Sequence, residues 1–187
     1  MRIVSGRFRG RALAGPASRA IRPTSDRLRE SIFNVLAHGY GDPVRDARVL
    51  DLFAGTGALG LEALSRGAAE AVFIEQDREA LAILRRNIAT LGEEVRSRVV
   101  PGDATRPPHA PSACGLVFLD PPYRSGLAAA ALGALEAAGW LTPAALAVVE
   151  LAAREELVPP AGFILLHERV YGAGRLAFLR RTETMGD

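Results

Sequence analysis

The sequence has no lysine and only one cysteine, Cys114. A single cysteine excludes an internal disulfide and a zinc site built on cysteines, and it fits a reducing compartment. No uninterrupted apolar stretch reaches the roughly 20 residues that a membrane-spanning helix needs. The N-terminal stretch M-R-I-V-S-G-R-F-R-G-R places charges where a signal peptide would need an apolar segment. We therefore expect a soluble, cytoplasmic protein that has no membrane partner.

Histidine is also scarce. The three histidines, His38, His109 and His167, lie far apart in the sequence and lack the spacing of metal ligands. We therefore expect no bound metal ion.

The charge is unevenly distributed, although the net charge is only +2. Residues 1–40 contain eight arginines against Asp26 and Glu30, a net +6. The remaining fifteen arginines stand against nineteen acidic residues, a net −4. A basic N-terminal segment on an acidic body indicates an anionic macromolecular partner, whereas a solvated basic arm is the simpler alternative.

The length of 187 residues predicts about one domain, and a hydrophobic content of 49% allows a sizeable core. From Arg48 onward, apolar runs alternate with helical patterns, which predicts an open, doubly wound α/β sheet. The loop Y-G-A-G at 171–174 predicts a hairpin, so that the sheet ends antiparallel. The predicted strands are 48–53, 71–75, 98–100, 115–119, 145–150, 163–170 and 175–180. The predicted helices are 58–66, 78–91 with Asp77 as N-cap, and 127–138.

Residues 1–40 are expected to form a basic extension that contacts this anionic partner, and residues 41–187 the main domain. Residues 3–4 and 8–13 predict a small hairpin. A helix is expected over 25–37, with Thr24 as its N-cap and an apolar face that packs on the main domain.

A glycine-rich stretch, D-L-F-A-G-T-G-A-L-G, spans residues 51–60. Gly55, Gly57 and Gly60 satisfy G-x-G-x-x-G directly after a predicted strand and at the start of a predicted helix. Without Cβ atoms, such a loop lets a ligand lie on the backbone at a helix N-terminus. Glu75 ends the next predicted strand, 20 residues after Gly55, where a carboxylate can accept hydrogen bonds from ribose hydroxyls.

Dinucleotides and S-adenosylmethionine both fit this geometry, and Asp51 favours the second. A carboxylate beside a pyrophosphate would be repulsive, whereas beside the amino and sulfonium groups of S-adenosylmethionine it would attract. Further along, Asp103 and the backbone N–H of Ala104 follow another predicted strand, where they can hold an adenine ring.

The tetrapeptide D-P-P-Y at 120–123 ends the apolar run 116–119. Each proline stiffens the chain and brings no N–H, so the loop presents the Asp120 carboxylate and the Pro121 carbonyl as acceptors. Such acceptors suit an exocyclic amine on a planar base, and Tyr123 offers a ring on which the base can stack. The pattern predicts a rigid clamp for an aromatic amine beside the methyl donor.

Together, the glycine loop and D-P-P-Y resemble those of class I S-adenosylmethionine-dependent amino-methyltransferases. More closely, the chain resembles the RsmD family of 16S ribosomal RNA guanine-N2 methyltransferases, nearly from end to end. The segments that carry the resemblance are R-I-V-S-G-R-F-R-G-R, I-R-P-T-S-D-R-L-R-E-S-I-F-N-V-L, L-D-L-F-A-G-T-G-A-L-G-L-E-A-L-S-R-G-A, F-I-E-Q-D and V-F-L-D-P-P-Y. R-P-T-S-D-R-x-R-E is the family-specific block, since D-P-P-Y also occurs in enzymes that act on DNA or on protein amides.

The resemblance implies a Rossmann-like, seven-stranded sheet, S-adenosyl-L-methionine as cofactor, and 16S rRNA as partner, within a 30S subunit or an assembly intermediate. It also implies that residues 120–123 hold the guanine. The expected catalytic residues are Asp120, Pro121, Pro122 and Tyr123. The expected cofactor-binding residues are Asp51, Ala54, Gly55, Thr56, Gly57, Gly60, Glu75, Asp77, Asp103 and Ala104.

The basic segment supplies the expected RNA contacts. Arg7, Arg9 and Arg11 alternate along a possible strand, which would place them on one face. Further arginines surround the start of the next helix, whose dipole favours phosphate. The full expected set is Arg7, Arg9, Arg11, Arg22, Thr24 and Arg27.

We therefore expect a monomeric enzyme that transfers a methyl group from S-adenosylmethionine to the exocyclic N2 of a guanine in 16S rRNA, by in-line displacement. The alternatives are a DNA adenine or cytosine amino-methyltransferase, a nicotinamide-dependent oxidoreductase that uses the G-x-G-x-x-G loop, and a non-catalytic RNA-binding module.

Overall fold

The fold is a seven-stranded sheet with helices on both faces, seen in a computed structural model that describes residues 1–15, 25–123 and 125–182. The strands are β1 (Arg48–Leu52), β2 (Glu70–Glu75), β3 (Ser97–Pro101), β4 (Cys114–Leu119), β5 (Leu141–Ala152), β6 (Phe163–Tyr171) and β7 (Gly174–Arg181). The helices are α1 (Asp26–Gly39), α2 (Ala58–Ser65), α3 (Arg78–Leu91) and α4 (Leu127–Ala137), and a single 3₁₀ turn spans Glu94–Arg96. None of the helices in these ranges is long and apolar enough to cross a membrane.

The strand order is β3-β2-β1-β4-β5-β7-β6. All neighbouring pairs are parallel except those of β7, which runs antiparallel to β5 and β6. The predicted doubly wound sheet with an antiparallel last strand is therefore confirmed. The strand order reverses between β1 and β4, and in such sheets ligands bind beyond the carboxyl ends of the strands at this switch point.

The core lies in two layers, one on each face of the sheet. Helices α1, α2 and α3 cover one face through side chains such as Phe33, Leu61 and Leu84. Helix α4 covers the other face together with Trp140, whose indole Nε1 donates to the Pro108 carbonyl at 2.7 Å. Because β1 and β4 are covered on both faces, their sequences are nearly continuous apolar runs.

Most predicted boundaries lie within two residues of the observed ones, and α3 has the predicted limits and the predicted N-cap. The Asp77 carboxylate accepts from the Ala80 N–H, and Gly92 ends the helix in the left-handed conformation. Strand β5 begins four residues earlier than predicted. It continues back to Leu141 past an irregularity in its pairing with β4, where Ala144 has a positive φ of 57°.

Helix α1 begins one residue later than predicted, and its N-cap is Ser25 rather than Thr24. The Ser25 hydroxyl accepts from the Leu28 N–H at 3.2 Å, and Thr24 itself lies outside the described residues. The apolar face of α1 packs on the sheet, as the ring contact between Phe33 and Phe118 shows, with centroids 5.4 Å apart. The first helix therefore shares the core of the main domain.

The predicted hairpin forms only at its ends, and residues 8–13 do not form a regular strand. Residues 5–10 form bends and turns, Arg2 and Ala12 form an antiparallel bridge, and the Ile3 N–H donates to the Arg11 carbonyl at 2.9 Å. Gly6 and Gly10 both have a positive φ, and a Cβ at Gly6 would overlap the Ser65 carbonyl of α2. Arg7, Arg9 and Arg11 therefore do not alternate along one face of a strand.

The N-terminal turn is held on α2 by a buried carboxylate. Glu62 is fully buried and accepts hydrogen bonds from the N–H groups of Val4 at 2.8 Å and Ser5 at 3.0 Å. It also pairs with Arg66 at 2.8 Å. The N-terminal segment also reaches the glycine loop, because the Asn87 side chain of α3 accepts from the Ala14 N–H at 2.8 Å and donates to the Thr56 carbonyl at 3.0 Å.

Candidate active site

A cleft of about 310 Å³ opens at the carboxyl ends of the strands on both sides of the switch point. It is lined by Phe53, Gly55, Ile74, Glu75, Gln76, Asp77, Ala80, Gly102, Ala104, Asp120 and Pro122. The loops after β1, β2, β3 and β4 each contribute residues, since the carboxyl ends of parallel strands meet at one edge of the sheet. This size lies within the range of small-molecule sites.

The first glycine of the loop faces this cleft. Gly55 has a φ of 54°, a conformation that other residues rarely adopt, and a Cβ there would meet nothing closer than 3.9 Å. Phe53, two residues earlier, also has a positive φ of 55° and lines the cleft. A bulky side chain in this conformation is unusual and is typical of functional sites.

The other two glycines serve packing. A Cβ at Gly57 would overlap the Leu84 side chain of α3, and one at Gly60 would overlap the Phe73 ring of β2. Neither residue lines the cleft, and both let α2 approach the sheet and α3 closely. The loop residues Ala54 and Thr56 are buried and do not line the cleft either.

Glu75 is the carboxylate at the centre of the cleft, and its position is fixed by backbone donors. Its Oε2 accepts from the Gly55 N–H at 2.8 Å, and its Oε1 accepts from the N–H groups of Gln76 and Asp77, both at 2.8 Å. A carboxylate offers about four acceptor positions, so one remains for a ligand hydroxyl.

Asp51 lies beneath the cleft rather than on its lining. It is 2% exposed, and its Oδ2 accepts from the Gly60 N–H at 2.8 Å, near the start of α2. Burial raises the pKa of Asp51 well above its ordinary value, and the neighbouring carboxylates of Asp120 and Glu75 raise it further. Asp51 therefore lies close enough to Asp120 and Glu75 to interact with them electrostatically, whereas the carboxylates of Glu75 and Asp120 line the cleft itself and favour a cationic ligand.

The loops after β2 and β3 supply the other predicted cofactor residues. Asp77 lines the cleft while capping α3, and Ala104 lines it from the loop after β3. The Asp103 carboxylate instead accepts from the backbone N–H and the hydroxyl of Thr105, both at 2.8 Å, which lowers its pKa. Asp103 therefore shapes the loop that places Ala104 in the cleft.

The D-P-P-Y tetrapeptide borders the same cleft. Asp120 and Pro122 line it, whereas Pro121 is buried. The Tyr123 side chain is 38% exposed, and its hydroxyl donates to Glu150 Oε1 at 2.7 Å. The ring of Tyr123 is thus held from the end of β5 while one side stays open to solvent.

Sequence reasoning missed Phe53, Gln76 and Glu150. Glu150 is buried and lies near the carboxyl end of β5 in the run V-V-E-L-A. The signal was present, because an acid at the end of an apolar strand is what singled out Glu75 and Asp120. Phe53 gave no such signal, since its unusual backbone conformation cannot be recognised from its residue type.

Four of the six expected RNA-binding residues lie in the part of the chain that the structure describes. Arg7 forms an ion pair with the buried Glu93, and its guanidinium lies 4.4 Å from the centroid of the Phe8 ring. Arg9, Arg11 and Arg27 are exposed. The two remaining predicted contacts, Arg22 and Thr24, lie outside the described residues.

Comparison with known proteins agrees with this geometry. Residues 1–180 match the family model described as Conserved hypothetical protein 95. The chain is 43% identical to Ribosomal RNA small subunit methyltransferase D of Escherichia coli (strain K12) over 195 residues, which cover 100% of this chain and 92% of that protein.

Solved structures show the same architecture. The yhhF protein from Escherichia coli has a TM-score of 0.83 and 41% identity, covering 97% of this chain and 98% of that one. An RNA methyltransferase from Salinibacter ruber, in complex with S-adenosyl-L-homocysteine, shares the fold with a TM-score of 0.66 and 16% identity, covering 88% and 97%. The sequence match, the topology and the cleft lead to one conclusion: the chain belongs to the RsmD family of ribosomal RNA small subunit methyltransferases.

Proposed function

We propose that the cleft binds S-adenosyl-L-methionine and that the chain transfers its methyl group to the exocyclic N2 of a guanine in small-subunit ribosomal RNA. A single observation carries the proposal. Asp120 and Pro122 of the D-P-P-Y tetrapeptide border the same cleft as Gly55 and Glu75. The predicted amine clamp and the predicted cofactor loop therefore share one cavity.

The residues of the cleft suit S-adenosylmethionine. Glu75 has one acceptor position for a ribose hydroxyl, and Gly55 leaves space where another residue would place a side chain. The carboxylates of Glu75 and Asp120, which line the cleft, favour the ammonium and sulfonium groups. When bound, the cofactor supplies an electrophilic methyl group.

The part of D-P-P-Y in the cleft is suited to hold an amine. The carboxylate of Asp120 can accept an N–H of the exocyclic amine, and neither proline brings a competing N–H donor. Fixing the N–H groups in this way aims the nitrogen lone pair at the methyl. The protein contributes mainly orientation and exclusion of water, and no strong base is needed because the methylated amine loses its proton readily.

The alternatives fit less well. The carboxylates that line the cleft would repel the pyrophosphate of a dinucleotide, and the family assignment also decides against a nicotinamide-dependent oxidoreductase. A DNA methyltransferase would share the D-P-P-Y clamp, but the resemblance also covers the N-terminal segment, since the family model matches residues 1–180.

We further propose that the enzyme acts as a monomer in the cytoplasm, without a metal, on a 30S subunit or an assembly intermediate.

The test is methylation of small-subunit RNA with labelled S-adenosylmethionine, followed by digestion and identification of the modified nucleoside. We expect N2-methylguanosine from the parent protein. Asp120→Ala should lower the transfer rate by a factor on the order of 10²–10³, as loss of one preorganised polar group does. The binding of S-adenosylhomocysteine should remain nearly unchanged.

Naked 16S rRNA, assembly intermediates and 30S subunits should be compared as substrates under the same conditions. Methylated adenosine or cytidine, or transfer to DNA at a comparable rate, would contradict the proposed substrate. An Asp120→Ala protein that transfers at the parent rate would contradict the clamp. Asp120→Asn, which keeps one acceptor oxygen, should fall between the parent and the alanine variant.

A further inference from the structure

A second groove, of about 800 Å³, lies between α1 and β6 and has no part in the chemistry described above. It is lined by Ser31, Asn34, Val35, His38, Gly39, Tyr40, His167, Arg169 and Tyr171. A cavity of this volume is large enough for groups the size of a nucleotide.

Both walls of the groove present polar side chains in regular register. Ser31, Asn34 and His38 are spaced by three and four residues, so they form one stripe of α1, and Arg27 continues that stripe toward the N-terminus of the helix. On the opposite wall, His167, Arg169 and Tyr171 alternate along β6 and face the helix.

Stacked aromatic rings form the floor of the groove. The rings of Tyr40 and Phe178 are stacked with centroids 5.6 Å apart, and those of His167 and Phe178 are stacked at 4.8 Å. The Tyr40 hydroxyl lies 3.1 Å from His167 Nδ1, which ties the two walls together. The side chains above this floor are therefore held on a firm base.

The charged side chains in and near the groove are positive. None of the lining residues is acidic, and Arg169 is exposed at the rim. Arg180 of β7 also lies close enough to interact electrostatically with Tyr40, as Arg169 does. Such a surface complements a polyanion.

The groove adjoins the amine clamp through the β6–β7 hairpin. Tyr171 ends β6 and pairs with Gly174 at the tip of the β6–β7 hairpin. A Cβ at Gly174 would lie 3.5 Å from the Tyr123 hydroxyl, so this hairpin tip adjoins the D-P-P-Y loop. An RNA strand whose target base lies in the cleft would therefore pass next to the groove.

We propose that the groove between α1 and β6 binds the ribosomal RNA strand that flanks the target guanine. Arg169 and Arg27 contact phosphates, and Asn34 and His38 contact sugar or base edges. The inference rests on the proposed function, since it places a further part of the same RNA substrate. A protein interface has an apolar centre, whereas Val35, the aliphatic residue among those that line this groove, is buried.

The test uses Arg169→Ala and Asn34→Ala, alone and together, in the full chain. Binding of deproteinised 16S rRNA is measured over a series of salt concentrations, with S-adenosylhomocysteine binding and methylation kinetics alongside. We expect the double variant to raise the KM for RNA about tenfold, with little change in kcat. The Arg169 change should lower the log–log salt slope by about 0.7–0.9, the value for one phosphate contact. Arg85→Ala, which removes an exposed arginine from α3, is the matched control and should leave these quantities unchanged.

The possible outcomes separate this inference from the proposed function. A parent protein that methylates no small-subunit RNA contradicts the function. A parent that does so, with groove variants that bind RNA with the parent affinity and salt slope, overturns the groove. Weaker binding that appears only with assembled 30S subunits and not with deproteinised RNA would show that a ribosomal protein occupies the groove, and would also overturn the inference.

Discussion

The Oε2 atom of Glu75 lies 2.8 Å from the backbone nitrogen of Gly55, so the acid that ends β2 is hydrogen-bonded to the glycine loop that follows β1. The two residues are 20 positions apart in the sequence and meet because β1 and β2 are parallel neighbours, with Leu52 opposite Ile74. This bond fixes the carboxylate before any ligand binds. The side-chain conformational entropy of Glu75 is therefore lost on folding and not when the cofactor binds.

Removing the Glu75 carboxylate should weaken cofactor binding. Glu75→Ala removes the acceptor of three backbone N–H groups and the position left for a ligand hydroxyl, so we expect S-adenosylhomocysteine to bind about 1.5–3 kcal/mol more weakly by isothermal titration. RNA affinity should change little. Glu79→Ala, at an exposed position of α3, is the control, and an unchanged affinity for Glu75→Ala would show that the ribose is held elsewhere.

The raised pKa of Asp51 predicts a pH-dependent stability difference. The folded protein holds this proton to a higher pH than the unfolded chain, whose value is near 3.8. Ionisation therefore costs stability as pH rises from about that value through the raised pKa. Asp51→Asn avoids this cost, so without ligand its stability relative to the parent should increase as pH rises above about 3.8, as measured by urea unfolding.

Asp103→Asn is a control for that experiment, because its stability relative to the parent should change with pH in the opposite direction. The pKa of Asp103 is lowered by the hydrogen bonds from Thr105, so its ionised form contributes stability above the unfolded value that is lost as pH falls. Asp103→Asn should therefore lose stability relative to the parent at high pH. A difference between Asp51→Asn and the parent that stays constant with pH would contradict the assignment of a raised pKa.

The hydrogen bond between Tyr123 and Glu150 predicts coupling between two distant positions. Tyr123→Phe removes, and Glu150→Gln weakens, the bond that holds the ring next to Pro122 of the cleft, and both changes should slow methyl transfer. Since the bond involves a carboxylate, a double-mutant cycle on urea unfolding should give a coupling of about 1–3 kcal/mol. Additive effects on both stability and rate would show that the ring is positioned by other contacts.

The arginines of the N-terminal turn should separate into two kinds. Arg7 pairs with the buried Glu93, so Arg7→Ala should lower the urea midpoint. Arg9 and Arg11 are exposed, and if each neutralises one phosphate, Arg9→Ala with Arg11→Ala should lower the log–log salt slope of RNA binding by about 1.4–1.8. A double variant with the parent slope would make this segment a solvated arm.

The sequence alone was enough to predict the sheet and the edge of the sheet at which the cleft lies. Buried parallel strands carry long apolar runs, and polar residues at their ends stand out against them, as Glu75 and Asp120 do. Local signals of capping also sufficed for α3, because Asp77 and Gly92 act within one helical turn of their own positions. These features depend on neighbours in the chain.

The tertiary structure decided the features that depend on distant partners. Residues 7–11 alternate as a strand would, but Ser65 of α2 accepts hydrogen bonds from the N–H groups of Arg7 and Phe8 and holds this segment as a turn. Gly57 and Gly60 belong to a ligand-binding motif, yet the side chains packed against them show that they serve close packing. The groove between α1 and β6 joins residues more than 120 positions apart, so only the folded chain brings its two walls together.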